Sequence, residues 1–398
     1  MRTGTSSLIV AAFVGPGTVL TCASAGVDFG YQLGWVLVFA TGATFVLQSY
    51  TAGTGILARQ GLGEALRAEL AHRRVRPLIT GLVVLGLWVG TAAFELGNLM
   101  GAAAGITALT DVPLSQRALV ALIAGSAAVI LLLELRVLIR VFAGLVVGMS
   151  LLFLVGLAVA PIDWGAALAG LTVPRVPDGG LVRVLALVGT TVVTYNLFLH
   201  PSMAKAYWAS TDDRAAAWWG ELRGMALFLP VGGLVSFSIL AVGATLSAPD
   251  ADVQSAEAFA LLLEPVAGSF AATCFGLGLF AAGLTSSLTA PLAAAKGICE
   301  IFGWSPDATS PSYRLVWGSV VATGLLLSLV GWEPLPAIIA AQAANGLLLP
   351  LVAAFVMSLT LRQDIVSLPY WYHALGIGIV LLCGALGLRT LWWVVQQL

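Results

Sequence analysis

Charge is scarce in this sequence. Only 9% of its 398 residues are Asp, Glu, Lys or Arg, against about 25% in an ordinary soluble domain, while 59% are hydrophobic. A soluble globular protein is excluded. A basic excess is missing too, since 18 Lys and Arg face 19 Asp and Glu for a formal charge of -1. No field exists to grip a nucleic-acid backbone, so nucleic acid drops out as a partner. The four cysteines, Cys22, Cys274, Cys299 and Cys383, lie inside or at the ends of apolar segments with no CxxC, and read as small buried hydrophobes. Long polar stretches are absent as well. The widest gaps between apolar runs, 58–77, 161–182, 208–222 and 248–267, reach only about 20 residues, too few for a further domain. With no His, Asp and Ser constellation and no metal-ligand cluster at catalytic spacing, an enzyme is not expected and no cofactor is implied.

What the chain does have is apolar runs of about 20 residues, the length that spans a ~30 Å hydrocarbon core. Charge, Pro and Gly clusters divide them into eleven expected spans: 7–28, 34–57, 78–106, 118–135, 141–160, 183–207, 223–247, 268–298, 314–331, 335–361 and 373–396. The chain reads as an all-α polytopic membrane protein whose principal partner is the lipid bilayer. The N-terminal apolar run passes through Gly15-Pro16-Gly17 into further membrane-depth sequence, so it reads as a retained span and not as a cleaved signal. With the N-terminus cytoplasmic, 14 of the 18 basic residues fall inside and only Arg117, Arg175, Arg183 and Arg389 outside. This bias puts the N-terminus in the cytoplasm and, with an odd span count, the C-terminus outside. Tyr207 with Trp208, Trp218 with Trp219, Trp332, and Tyr370 to Tyr372 sit at span ends, as interfacial aromatic belts do. The basic, amphipathic stretch Gly61 to Arg76 reads either as a helix on the membrane surface or as a charged loop.

Two spans carry polar or helix-breaking residues at mid-depth. Span one has Gly15, Pro16, Gly17 and Thr18; span six, five spans later, has Gly189, Thr190 and Thr191 followed by Thr194, Tyr195 and Asn196. Irregular backbone at membrane depth is tolerated only where protein or a cavity satisfies it. Paired interruptions at corresponding places of two halves point to an inverted-repeat transporter with its site at the midplane. The alternative is a proline kink in span one and a small-residue packing face in span six.

These residues resemble the Nramp family of proton-coupled divalent-metal transporters. Gly15-Pro16-Gly17-Thr18, followed eleven residues later by Phe29-Gly30-Tyr31, falls where the family has DPGN and an FGY-like triplet. Gly189 to His200, GTTVVTYNLFLH, resembles the family's GATVMPHNLYLH. Glu95 to Gly101 in span three, Leu279 to Ser287 in span eight, and Gln342 eight residues before Pro350 in span ten add to the match. The resemblance implies a LeuT-type fold: two inverted five-helix repeats, spans 1–5 (residues 1–160) and 6–10 (161–361), plus an eleventh span (362–398), with helices 1 and 6 broken, all in one membrane domain. It also implies an ion held by the Asp and Asn of DPGN, the Met of MPH, an exposed carbonyl and the span-ten Gln. Here Gly15 stands for the Asp, Thr18 for the Asn and Val193 for the Met, with Thr194 and Tyr195 for Pro and His; only Gln342 is kept.

Losing the carboxylate removes the strongest ligand for a bare divalent ion. Losing the thioether removes the soft ligand that favours transition metals. What remains is oxygen chemistry: carbonyls freed at Gly15 and around Val192 and Val193, hydroxyls of Thr18, Thr21, Thr194 and Tyr195, and amides of Asn196 and Gln342. Gly15, Thr18, Tyr195 and Gln342 are the expected metal contacts. Such a set suits a cation that keeps much of its water, as Mg²⁺ does, and fits the Nramp-related magnesium transporters. An enlarged neutral site would equally hold a small polar or zwitterionic organic solute.

Glu95, about 18 residues into span three, is the only carboxylate deep in the membrane, where an ionisable group is a functional hypothesis by default. The resemblance places it at an Asp used in proton handling, with Asn98 in place of a neighbouring Glu. His200, four residues beyond Asn196 on one helical face, would relay a proton or simply be hydrogen-bonded inside the bundle. Asp28 is expected at the outer mouth, among nine acids facing outward that would concentrate cations there, with Asp111, Asp163, Asp178, Asp250, Asp252, Glu257, Glu264 and Glu333. The expected protein is a monomeric secondary transporter of a bacterial inner membrane. It would move a Mg²⁺- or Mn²⁺-like ion by alternating access, with H⁺ coupling, or carry an organic solute instead.

Overall fold

The computed structural model describes Thr5 and residues 15–109, 114–133, 136–245, 259–260, 263–264, 268–363 and 368–397. Residues 7–14 of the expected first span and the acids Asp111, Asp250, Asp252 and Glu257 lie outside them. The helices are α1 (Pro16–Phe29), α2 (Gly34–Ile56), α3 (Leu62–Glu69), α4 (Arg76–Thr107), α5 (Gln116–Leu133), α6 (Arg136–Val159), α7 (Trp164–Thr172), α8 (Leu181–Thr191), α9 (Thr194–Tyr207), α10 (Arg214–Ala244), α11 (Ala271–Phe302), α12 (Pro311–Ser328), α13 (Pro334–Gln363) and α14 (Tyr370–Gln397). Among the described residues nine segments are long and apolar enough to cross a membrane, with α8 and α9 together forming one of them. The two expected spans outside that set are present as α1 and α12.

Lipid tails are as apolar as Leu, so helices in a bilayer associate through close packing and interhelical hydrogen bonds. The pairs α4 with α11, α13 with α4 and α8, and α1 with α10 pack along one another. A Cβ on Gly189 would run into the backbone of Gln342 and Gly346, so α8 and α13 touch backbone to backbone. That contact places span ten against the break in span six.

One end of the bundle is basic. There Arg59, in the left-handed region at φ 57, donates to the carbonyls of Trp208 (3.1 Å), Ala209 (2.8 Å) and Thr211 (2.9 Å) beyond the C-terminus of α9. Its charge thereby meets the negative end of that helix. Arg214 returns the arrangement by donating to the Leu57 carbonyl at 3.1 Å. At the opposite face Arg183 pairs with Asp28 at 2.6 Å, tying the start of α8 to the end of α1.

Several expected boundaries are corrected. Helix α10 begins at Arg214 and not at 223, because Asp213 caps it by accepting from the Ala216 N–H at 2.9 Å. The expected loop 208–222 therefore shrinks to 208–213. Of the expected belt aromatics, Tyr207, Trp219, Trp332, Tyr370 and Trp371 are exposed, but Trp208, Trp218 and Tyr372 are buried. Each buried ring has a polar partner that lets it leave the interface: Glu221 for Trp208, the Ser49 carbonyl for Trp218 and the Ser49 hydroxyl for Tyr372. The gap 161–182 holds a helix, α7, capped by Asp163. In the stretch Gly61 to Arg76 the helix covers only Leu62–Glu69, and Leu62, Ala65 and Leu66 are buried in protein and not laid on lipid.

Helix α3 is fastened by Glu64, which accepts from Lys205 at 2.7 Å and from the Gly61 N–H at 2.9 Å. Partial burial pushes the Glu64 carboxyl up, but Lys205 and the Gly61 N–H outweigh it and hold it below the usual carboxylate range. A carboxyl lowered in this way stabilises the fold fully above its unfolded pKa and loses that contribution as pH falls through the folded one.

Helix α10 carries a buried carboxylate, Glu221. It accepts from Trp208 Nε1 (2.8 Å), from the Thr5 N–H (3.1 Å) and hydroxyl (2.8 Å), and faces His200 Nε2 at 3.3 Å. Removing one member of a buried charged cluster leaves the rest desolvated without partners. We expect Glu221→Ala to cost about 3–5 kcal/mol. Glu221→Gln, which keeps one acceptor oxygen, is expected to cost about 1–2 kcal/mol. Thermal unfolding in detergent should rank wild type above Gln above Ala, and identical midpoints would deny the cluster any part in stability.

Candidate functional site

The two interruptions fold as local chemistry requires. Gly15 is extended (φ -86, ψ 172) and Pro16 opens α1, where its missing N–H costs nothing. In span six, Thr191 ends α8, Val192 (φ -93, ψ 83) and Val193 (φ -84, ψ 119) are extended, and Thr194 opens α9. The breaks face each other: the hydroxyls of Thr18 and Thr190 lie 2.8 Å apart. Thr18, Thr21, Val192, Val193, Thr194, Tyr195, Asn196 and Gln342 are all buried, so the region between the breaks is closed to solvent in this conformation.

The carbonyls expected to be free are in fact engaged. Gly15 O accepts from the Val19 N–H at 3.1 Å, because an N-cap carbonyl takes the first intrahelical bond. The amide of Asn345, on α13, donates to Gly189 O at 2.6 Å and to Val192 O at 3.2 Å. Thr191 O accepts from Thr44 at 3.3 Å, and Val193 O from the Asn196 N–H at 3.2 Å. The hydroxyl of Thr194 also turns to span ten and donates to Asn345 Oδ1 at 2.7 Å.

Of the expected binding residues, Thr21 Oγ1 and Gln342 Oε1 are side-chain oxygens without a hydrogen-bond partner. Gln342 lies directly against Gly17, where any Cβ would meet its amide. Span one thus accommodates Gln342 through a glycine, two residues after the position that carries no carboxylate. Tyr195 packs edge-on against Phe94 of α4, ring centroids 5.4 Å apart, and adjoins Glu95. Among the described residues no group of three or more His, Cys, Asp and Glu is placed to hold a metal. Neutral oxygens are what the breaks offer a ligand.

Glu95 is fully buried, walled by α12 through Gly324 and by α11 through Ser287. Asn98 Nδ2 lies 3.5 Å from Glu95 Oε2, and the Ser287 hydroxyl approaches the same carboxylate from α11. His200 is not beside Glu95. Its Nε2 turns to Glu221 in the basic-face cluster, and its Nδ1 is unpartnered. Sequence reasoning missed Asn345 and Glu221, and marked Thr190 as part of the span-six break without making it a site residue. For Asn345 a signal existed, an amide one helical turn beyond Gln342 in an apolar span.

Over residues 6–393 the chain matches the Nramp family, described as natural resistance-associated macrophage protein-like. It is 30% identical over 301 residues to the divalent metal cation transporter MntH of Yersinia pestis (strain Pestoides F), covering 73% of this chain and 70% of that one. It is 28% identical over 383 residues to the protein of the same name from Verminephrobacter eiseniae, covering 92% and 82%. Among solved structures, the Eremococcus coleocola manganese transporter in complex with an aromatic bis-isothiourea substituted compound superposes with a TM-score of 0.80 at 18% identity, covering 98% of this chain and 85% of that one. MhsT in complex with L-phenylalanine gives 0.58 at 14% identity over 98% of both chains. Mhp1, a nucleobase-cation-symport-1 family transporter in a closed conformation, gives 0.57 at 16% identity, covering 99% and 93%. The fold is accordingly LeuT-type, with helix 6 broken, and a match that runs nearly the whole length of the sequence makes this chain a member of the Nramp family.

Proposed function

We propose that the chain is a secondary transporter that carries a divalent cation across a bacterial plasma membrane by alternating access, with the N-terminus cytoplasmic. The relatives named for divalent-metal and manganese transport support the cation class. The observation that carries the proposal is the pair of buried, unpartnered oxygens, Thr21 Oγ1 and Gln342 Oε1, beside two facing helix breaks. A buried acceptor left unsatisfied costs about 1–3 kcal/mol, and a cation or its water would relieve that cost. Because Gly15 and Val193 supply no side-chain ligand and the break carbonyls already bear donors, the ion keeps part of its hydration. Mg²⁺, which dehydrates reluctantly, suits this. The proposed rigid halves are residues 1–160 and 161–361, working as a monomer, and Glu95 couples the cycle to protons.

A second reading, a small polar organic solute, is favoured by the engaged carbonyls of Gly189 and Val192, which leave amides and hydroxyls as the free chemistry. The deciding experiment is uptake by proteoliposomes under an imposed potential, with trapped indicators for Mg²⁺ and Mn²⁺. Entry of Mg²⁺, with or without Mn²⁺, is expected. Silence for both ions in folded protein would transfer the site to organic solutes. Gln342→Ala should raise the half-saturating ion concentration roughly 2- to 10-fold, the equivalent of one uncharged hydrogen-bonding group, and an unchanged value would take Gln342 out of the site. Glu95→Gln should abolish accumulation driven by a pH gradient while sparing ion binding. Undiminished accumulation would leave Glu95 a structural residue.

A further inference from the structure

Span ten presents two buried amides one helical turn apart, and they face different breaks. Gln342 lies against Gly17 of span one, whereas the hydrogen bonds of Asn345 go to span six. These three contacts bracket the interruption: Gly189 O before it, Val192 O within it and the Thr194 hydroxyl just after it. The orientation of the Asn345 amide is fixed by chemistry, because a carbonyl can only accept and so only Nδ2 can face Gly189 O and Val192 O. Asn345 is fully buried, and its neighbour on span three is Gly90, which brings no competing polar group.

From this geometry we infer that Asn345 is a positioning residue that holds the span-six break unwound and withholds its carbonyls from the transported ion, setting how much hydration the ion keeps. The physical reason is local. An ion entering a broken helix ordinarily finds carbonyl oxygens with free lone pairs to replace its water. Here the positive end of an N–H already points at Gly189 O and Val192 O, which opposes a cation at the same oxygens. The ion must then be met by hydroxyls, by Gln342 and by its own water. Freed carbonyls would favour ions that shed water readily over Mg²⁺, which does not.

The selectivity half of this inference rests on the cation-transport reading above, whereas the positioning half does not, and the experiment separates them. Asn345→Ala and Thr194→Val are prepared in full-length protein, the second to remove only the hydroxyl that orients the amide. Hydrogen exchange of the peptide covering 188–196 is measured in detergent, with no ion needed. Faster exchange in that peptide than in wild type, with span-three peptides unchanged, is expected for Asn345→Ala. Unchanged exchange in both variants would overturn the positioning role. In proteoliposomes the ratio of Mn²⁺ to Mg²⁺ uptake should rise about tenfold in Asn345→Ala, the scale of one lost buried polar interaction. An altered rate with an unaltered ratio in both variants would overturn the selectivity role. If Asn345→Ala does not fold, Thr194→Val carries both readouts. If wild type moves neither ion, the cation reading fails while the exchange result still decides whether Asn345 holds the break.

Discussion

An unwound turn inside hydrocarbon has to find partners for its backbone groups within the protein. That requirement organises this structure around the interruption in span six. Val192 and Val193 leave the helix, and their surroundings supply what water would: Asn345 for the carbonyls of Gly189 and Val192, and Thr44 for that of Thr191. Those donors can reach only if spans two and ten come close, and span ten does so through the contact of Gly189 with Gln342 and Gly346. The glycine contact and the polar bridge are two halves of one solution. Without the first the amide would not reach, and without the second the approach would enclose unsatisfied carbonyls.

The same requirement shapes the chemistry left for a ligand. Once the break is satisfied internally, the site's free acceptors are side-chain oxygens, Thr21 Oγ1 and Gln342 Oε1, in a neutral setting. The carboxylate of Glu95 belongs to the wall formed by spans three, eight and nine and is itself only loosely approached by Asn98, at 3.5 Å. Burying a bare divalent ion among neutral groups would carry a heavy desolvation cost. Carrying water along lowers that cost, which is the physical basis of the hydrated-cation proposal.

Much of the architecture was legible because hydrophobic length and interruption are one-dimensional signals. Eleven apolar runs and two mid-depth breaks were visible in the sequence, and all appear among the described residues as helices or as the interruption between α8 and α9, apart from the first half of span one. Boundaries failed where a charged residue is buried. Glu221 looked like the end of a loop, yet its partners come from positions as remote as Thr5 and Trp208. The spacing of His200 from Asn196 describes one face of a helix, whereas the carboxylate it meets inside the bundle, Glu221, lies on another helix. The Gly15 carbonyl is taken by the first bond of its own helix, whereas the Val192 carbonyl was expected to be free because sequence shows where a helix stops and not which side chain arrives to satisfy it. Asn345 is that missing term, and only the packing of α8 on α13 reveals it.

The two ends of the bundle are fastened with unequal strength, and the difference follows from burial. At one face Asp28 and Arg183 pair at 2.6 Å with side chains 41% and 18% exposed. Water and salt screen such a pair, so it holds spans one and six together by only about 0–1 kcal/mol. At the basic face Glu221 is wholly enclosed and gathers donors from the N-terminal Thr5, from Trp208 and from His200. Breaking that cluster exposes several desolvated groups at once, a cost several times larger. The Thr18–Thr190 contact lies between them, joining α1 to α8. Of these contacts the Asp28–Arg183 pair is the one that parts at lower cost, whereas separating Glu221 from its partners leaves buried groups to be satisfied from outside its own cluster.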